Sequence, residues 1–260
     1  MKMSEIKEKL KSGEHVLGTM ITVFSSPNII RILQQCGYDF VIIDCEHGGF
    51  DYSEAAGMLG MARAAGLPAM VRIPEIRREP VLKYMEMGAD GLLLPSTETK
   101  EQAELLVRYA KYAPMGDRGI SFSRPHTGFT KVKGPDYMSE TNRDTMLMCQ
   151  IETRQGVEHI DDIIGTEGID VAFVGPNDLS NSYGVLGDYY NPVMQEAYEK
   201  ILQAARKAGK AAGAHFGSRA GLLPLARKGY TMNMCGADVS LMMIGARTDI
   251  EAIRNELDRE

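Results

Sequence analysis

The chain has 260 residues, 44% of them hydrophobic and 25% charged, an ordinary globular composition with ample apolar material for a core. Its net charge of −6, with no run of lysines or arginines, argues against nucleic acid or an anionic membrane surface as a partner. The opening MKMSEIKEKLKSGE lacks an apolar signal core, nowhere do about 18 apolar residues run together, and Cys36, Cys45, Cys149 and Cys235 stand singly, so a cytoplasmic protein without a disulfide framework is expected.

Short apolar runs alternate along the chain with longer segments whose apolar residues recur at helical spacing, which predicts a parallel α/β protein. Strands are predicted over 16–22, 40–44, 69–73, 91–94, 146–151, 171–174, 211–214 and 231–234. They are apolar throughout, as strands buried on both faces must be. Helix starts are signalled by Ser26-Pro27 and Asn191-Pro192, each a cap followed by proline, and by Asp51 with Glu54 three residues later. Gly37, Gly66, Gly88, Gly209 and Gly229 fall where helices should stop. Eight such units fit a closed (β/α)8 TIM barrel better than an open sheet, and the G-x-G-x-x-G of a dinucleotide fold is absent. The rhythm breaks over 113–145, which is rich in Gly and Pro, lacks a strong period and reads as a long functional loop. No linker or compositional shift divides the chain, so one domain is expected over 1–260.

In a parallel barrel the chemistry gathers at the C-terminal ends of the strands. There the second strand ends in Asp44-Cys45-Glu46-His47-Gly48-Gly49, the third in Arg72, the fifth in Gln150-Ile151-Glu152 and the sixth in Gly175-Pro176-Asn177-Asp178. Glu152 and Asp178 would lie on adjacent strands, roughly 5 Å apart at the backbone. Two carboxylates with open positions suit Mg²⁺ or Mn²⁺ completed by substrate and water. Equally, Asp178 could accept helix-start amides and Glu152 could pair with Arg154. His47 follows its strand directly, in an acidic, glycine-flanked turn, and is the best candidate general base, the alternative being a loop imidazole bonded to the backbone. Arg72 closes an apolar run and needs an anion against it: a substrate carboxylate or enolate oxygen, or a bridge to Asp44 or Glu46. Cys45 and Cys149 read as packed thiols, with metal ligation as the alternative. The G-x-S-x-G elbow, the Walker A loop and H-E-x-x-H are all absent.

FVIIDCEHGGFD, VRIPE, GADGLLLPSTET, RYAKYAPMGDRGIS, CQIETRQGVEHIDDI, VAFVGPNDLSNSYG, GKAAGAH and GADVSLM follow one another over most of the chain. Together they resemble the HpcH/HpaI aldolases, class II pyruvate aldolases of 2-oxo acid metabolism. The resemblance implies Mg²⁺, Mn²⁺ or Co²⁺ held by Glu152 and Asp178, and a hexamer, a dimer of trimers with the C-terminal helix exchanged between subunits. It makes His47 the proton-transferring base and Arg72 the cation that stabilises the enolate. Gln150 and the Gly175-Pro176-Asn177-Asp178 turn become the substrate cradle, with the turn's amides facing the pyruvate carboxylate. Glu86 takes the place of an aspartate that acts on the histidine across a subunit interface, here one methylene longer. Cys45 and Gly48-Gly49-Phe50 depart from the family's small-residue and Ala-Pro-Asn pattern on the aldehyde side. The implied reaction is reversible cleavage of a 4-hydroxy-2-oxo acid to pyruvate and an aldehyde, with His215, Phe216 and Ser218 as candidates for choosing the aldehyde. Two other readings stand beside it: a CoA-ester lyase of the citrate-lyase β type, which needs a basic channel that the sequence does not display, and a non-catalytic barrel retained for binding.

Overall fold

Eight parallel strands pair in sequence order and the last closes onto the first, giving the (β/α)8 TIM barrel that the alternation predicts. The computed structural model describes residues 1–258; residues 259 and 260, the end of the expected domain span, lie outside the described residues. In chain order the first half comprises α1 (Met3–Ser12), β1 (Val16–Ile21), α2 (Asn28–Gln35), β2 (Phe40–Asp44), α3 (Tyr52–Ala65), β3 (Ala69–Arg72), α4 (Arg78–Met87), β4 (Gly91–Leu94) and α5 (Lys100–Ala110). There follow α6 (Gly134–Asp144), β5 (Met146–Ile151), α7 (Arg154–Glu158), α8 (Ile160–Gly165), β6 (Val171–Val174), α9 (Pro176–Ser182), α10 (Pro192–Lys207), β7 (Ala211–Phe216), α11 (Arg219–Lys228), β8 (Met232–Ala237) and α12 (Asp238–Leu257).

Alternate side chains of these apolar strands fill two cores. Met20, Phe40, Ile42, Met70, Leu93, Met148, Phe173 and Met234 pack the barrel interior, and Met3 and Ile6 of α1 belong to the same cluster. The other parity joins the inner faces of the helices in a larger cluster. Two strand glycines make room for the big interior rings: a Cβ on Gly18 would come within 2.4 Å of the Phe40 ring, and one on Gly213 within 2.5 Å of Phe173. Among the described residues no helix is long and apolar enough to cross a membrane.

A Gly-x-Asp sequence before β2, β4 and β6 ties each of these strands to its predecessor. Asp39, Asp90 and Asp170 donate their amides to Leu17, Ala69 and Leu147 carbonyls at 2.8–2.9 Å. Their carboxylates accept the amides of the same three residues at 2.8–2.9 Å. This reciprocal clasp sets the register at the base of the barrel and therefore the level at which each strand ends at the mouth.

Several boundaries differ from the sequence reading. β7 and β8 run on to Phe216 and Ala237, because His215 pairs with Met234 and Phe216 with Cys235 whatever the polarity of their side chains. The first turn at Ser26-Pro27 is looser than expected: α2 opens at Asn28, with Pro27 as its cap. The stretch 113–145 is not all loop, since α6 occupies its last third. That helix buries only Asn142 and so carries no apolar period. It is held instead by polar contacts at its end: Asn142 brackets the backbone of Tyr112, and the ammonium groups of Lys7 and Lys111 bond its terminal carbonyls.

Candidate active site

The register of β2 against β3 sets Asp44 opposite Arg72 at the mouth. Both side chains point inward, and the fork of the guanidinium meets the carboxylate with Nε to Oδ1 at 2.9 Å and Nη2 to Oδ2 at 2.6 Å. The third nitrogen, Nη1, stands 3.1 Å from Glu46 Oε2. Burial opposes the charge on Arg72, but Asp44, Glu46 and Glu152 together hold its pKa above the ordinary arginine value. The barrel-mouth bridge anticipated for Arg72 therefore forms, and the same cation feels Glu152 across the mouth.

Asp44 also shapes the turn that carries the histidine. Its Oδ1 accepts the amides of Glu46 at 3.1 Å and His47 at 3.3 Å, and Gly48 passes so close that a Cβ there would lie 2.1 Å from the Asp44 carbonyl oxygen. His47 leaves this turn with its ring in solvent and Nε2 3.9 Å from Glu46 Oε2. Its backbone is bonded and its imidazole is free to meet a substrate.

Glu152, at the end of β5, is 3% exposed. Its Oε1 accepts the Ser96 amide at 2.7 Å and the Ser96 hydroxyl at 3.0 Å, and its Oε2 accepts Nε2 of Gln150. Burial raises its pKa, the two Ser96 bonds oppose that, and the neighbouring charges of Asp178 and Glu46 raise it further. Arg154 is not its partner; that guanidinium bonds the Tyr183 carbonyl and stacks on the Tyr183 ring. Asp178 lies in the first turn of α9, exposed, and its carboxylate accepts no hydrogen bond among the described residues. Gly175, at the end of β6, lets Glu152 approach: a Cβ there would be 2.3 Å from Oε2. Pro176 and Asn177 complete the turn, with the Asn177 side-chain oxygen accepting the Tyr189 hydroxyl. Gln150 is buried beneath them and its Oε1 has no partner.

Among the described residues no three His, Cys, Asp or Glu side chains form a cage for a metal. The carboxylates that could hold an ion are Glu152 and Asp178, which feel one another's charge, with Glu46 nearby. That is the pattern of a hard divalent cation completed by substrate and water, and the net negative charge around buried Glu152 would be relieved by one. The thiols do not fit such a role. Burial pushes Cys45 up to about 11, beside Tyr84, and Cys149 up to about 12, so both stay protonated and packed.

Glu86 is not at this mouth within its own chain. It stands in the last turn of α4, half-buried, 3.6 Å from Nε of Arg124. After β7, Phe216 is buried edge-on against Tyr189 and Ser218 caps α11, while His215 donates from Nε2 to the Gly236 carbonyl oxygen, 2.8 Å away, and feels the charges of Arg72 and Asp44. Two further residues matter that the sequence reading passed over. Ser96 stands two residues past the end of β4, so the strand-end rule, extended to β4, finds it. Asp238 directly follows β8, but only because that strand runs on to Ala237, beyond its predicted end at 234. Its carboxylate accepts the amides of Thr22, Val23, Phe24 and Val239 and the Thr22 hydroxyl, clasping the loop after β1 to the start of α12.

Fold and mouth together define the class: a (β/α)8-barrel enzyme whose charged groups stand at the C-terminal ends of its strands. Known proteins narrow it to a family. The family model for HpcH/HpaI aldolase/citrate lyase matches residues 20–244. The 5-keto-4-deoxy-D-glucarate aldolase of Escherichia coli K12 is 36% identical over 194 residues, 74% of this chain and 74% of its own length. An HpcH/HpaI aldolase from Desulfitobacterium hafniense DCB-2 superposes with a TM-score of 0.91 at 33% identity, covering 96% of both chains. An aldolase/citrate lyase family protein from Burkholderia cenocepacia J2315 does so with a TM-score of 0.89 at 30% identity, covering 96% of this chain and 99% of its own. The chain belongs to the HpcH/HpaI aldolase/citrate lyase family. It is a carbon–carbon lyase, which sets aside the non-catalytic reading.

Proposed function

We propose that this lyase is a class II pyruvate aldolase that reversibly cleaves a 4-hydroxy-2-oxo acid to pyruvate and an aldehyde. The observation that carries the reading is the meeting, at one barrel mouth, of buried Glu152, Asp178 and the Arg72–Asp44–Glu46 cluster beside the free imidazole of His47. Glu152 and Asp178 would hold the divalent cation on which the family generally depends, and that ion, when bound, supplies the Lewis acidity that polarises the 2-oxo group.

The chain's own groups account for the remaining steps. The first-turn amides of α9, at Asn177 and Asp178, have no carbonyl one turn earlier to bond and face the substrate carboxylate, with Gly175 and Pro176 shaping the approach. His47 takes the proton from the C4 hydroxyl, the C3–C4 bond breaks, and the aldehyde leaves as the electron pair passes into the enolate of pyruvate. Arg72, kept cationic by Asp44 and Glu46, stabilises the oxygen on which that charge develops. Protonation at C3 then gives pyruvate. Gln150 orients Glu152 from below.

Two features point beyond one subunit. Glu86 can serve His47 only from a neighbouring chain, and α12 exposes Met242, Ile244, Ile250, Ile253 and Leu257 while burying only Asp238. Both support the hexamer with exchanged helices. The name of the E. coli relative makes a deoxy keto-glucarate the substrate to test first.

The test is exchange of the pyruvate methyl protons in D₂O, followed by NMR. Exchange that depends on added Mn²⁺ or Mg²⁺, stops with excess EDTA and returns on resupply is expected. Full exchange after verified metal removal, or none with metal present, refutes the reading.

A further inference from the structure

Ser96 is one of two non-glycine residues with positive φ among those described, at 43°. Backbone in this region suits glycine, and a side chain persists there when its surroundings over-determine it. The surroundings here do so. Thr97 donates its amide to the Gln150 carbonyl at 3.0 Å and its hydroxyl to the Leu94 carbonyl at 3.0 Å, latching the tail of β4 onto β5. Gly156 lets the next turn close over it, since a Cβ there would lie 2.6 Å from the Thr97 carbonyl oxygen. The turn itself would form at less cost with glycine at position 96. What serine adds is a hydroxyl, and that hydroxyl stands 3.0 Å from Glu152 Oε1, beside the Ser96 amide at 2.7 Å.

We propose that Ser96 is a positioning residue of the metal centre: its amide and hydroxyl together fix Oε1 of Glu152, so that the carboxylate presents one set orientation to the cation it shares with Asp178. Glu152 is held on three sides. Oε1 is taken by Ser96, Oε2 by Gln150, and the closeness of Gly175 to Oε2 leaves little room for the group to turn. Partners of this kind typically change metal affinity by about 10- to 100-fold when removed. This inference rests on the proposed metal-dependent reading.

Mn²⁺ titration followed by the EPR signal of the free ion, on wild type, Ser96→Ala and Ser96→Gly, with thermal unfolding of each, separates positioning from a purely structural role. Ser96→Ala keeps the strained backbone and loses the hydroxyl; Ser96→Gly loses the hydroxyl and relieves the strain. Both are expected to bind Mn²⁺ about 10- to 100-fold more weakly than wild type, although Ser96→Gly melts higher than Ser96→Ala. Wild-type Mn²⁺ affinity in Ser96→Gly, with its fold intact, overturns the assignment. A wild type that binds no Mn²⁺ overturns the metal reading and this inference with it.

Discussion

His47 and Arg72 are held by the same carboxylate, Asp44, yet they meet the solvent differently. The imidazole is exposed and the guanidinium is buried on two carboxylates. Distinct roles should leave distinct kinetic signatures. His47→Ala is expected to lose aldol cleavage by about 10²–10⁴-fold, the usual contribution of a positioned base. Its decarboxylation of oxaloacetate, which generates the same enolate without a C4 hydroxyl to deprotonate, should be nearly preserved. Arg72→Ala should damage both reactions, by about 10²–10³-fold, because both pass through the charge it stabilises. Parallel steady-state assays of the two reactions check this. Equal loss of both in His47→Ala, with fold and metal content intact, would show that its role is not confined to the hydroxyl proton. The mouth was largely legible at this scale, since Arg72 and Glu152 each end an apolar run and Asp178 stands in the turn that follows one. What composition could not say is which anion Arg72 meets. That depended on the register of β2 against β3, and the answer is Asp44 and Glu46 at once.

Among the elements, the Gly-x-Asp clasp of Asp90 carries a pH dependence that can be read. Burial pushes the Asp90 carboxyl up to about 6, against the opposing amide of Ala69 and the charge of Arg63. A carboxyl raised in the folded state above its unfolded value near 3.9 contributes stability that is complete below about pH 4. That contribution is lost as pH rises through the folded value of about 6. Asp90→Asn keeps an oxygen for the Ala69 amide and never ionises. It is expected to be more stable than wild type at pH 8, by about 1–3 kcal/mol, and to show no such gain at pH 4. Urea unfolding at the two pH values measures the difference, and a gain of the same size at both would rule out the titration of Asp90 as its source. The clasps were hidden in the sequence because Gly37 and Gly88 read sufficiently as helix stops; the reciprocal bond to the preceding strand exists only once that strand is alongside. The helix α6 was hidden for a different reason, since it is anchored through its terminal carbonyls rather than an apolar face.

At the scale of the whole molecule, α12 is the element that a single chain leaves unexplained. Twenty residues leave β8 as a helix with one buried side chain, Asp238, and several large apolar groups in solvent. A helix gains most of its stability from packing an apolar face, so this one needs a partner surface. The proposed exchange between subunits supplies it. Sedimentation is expected to give a mass of six chains, and Ile250→Glu with Ile253→Glu should shift the assembly to smaller species. A monomeric wild type would dispose of the exchange and of any role for Glu86 at a neighbour's His47.

The order of apolar runs and stop signals determined by itself that this chain forms a (β/α)8 barrel, because hydrophobic periodicity and turn chemistry are local properties. It likewise placed the charged residues at strand ends, since the C-terminal mouth is where buried strands can first afford them. Tertiary structure alone decided which of these residues meet. The strained turn of Ser96 against Glu152, the fork of Arg72 between Asp44 and Glu46, and the four bonds from Thr22, Val23 and Phe24 gathered by Asp238 all join strands or segments distant in the chain. Such contacts depend on register and barrel closure, and a linear pattern carries neither.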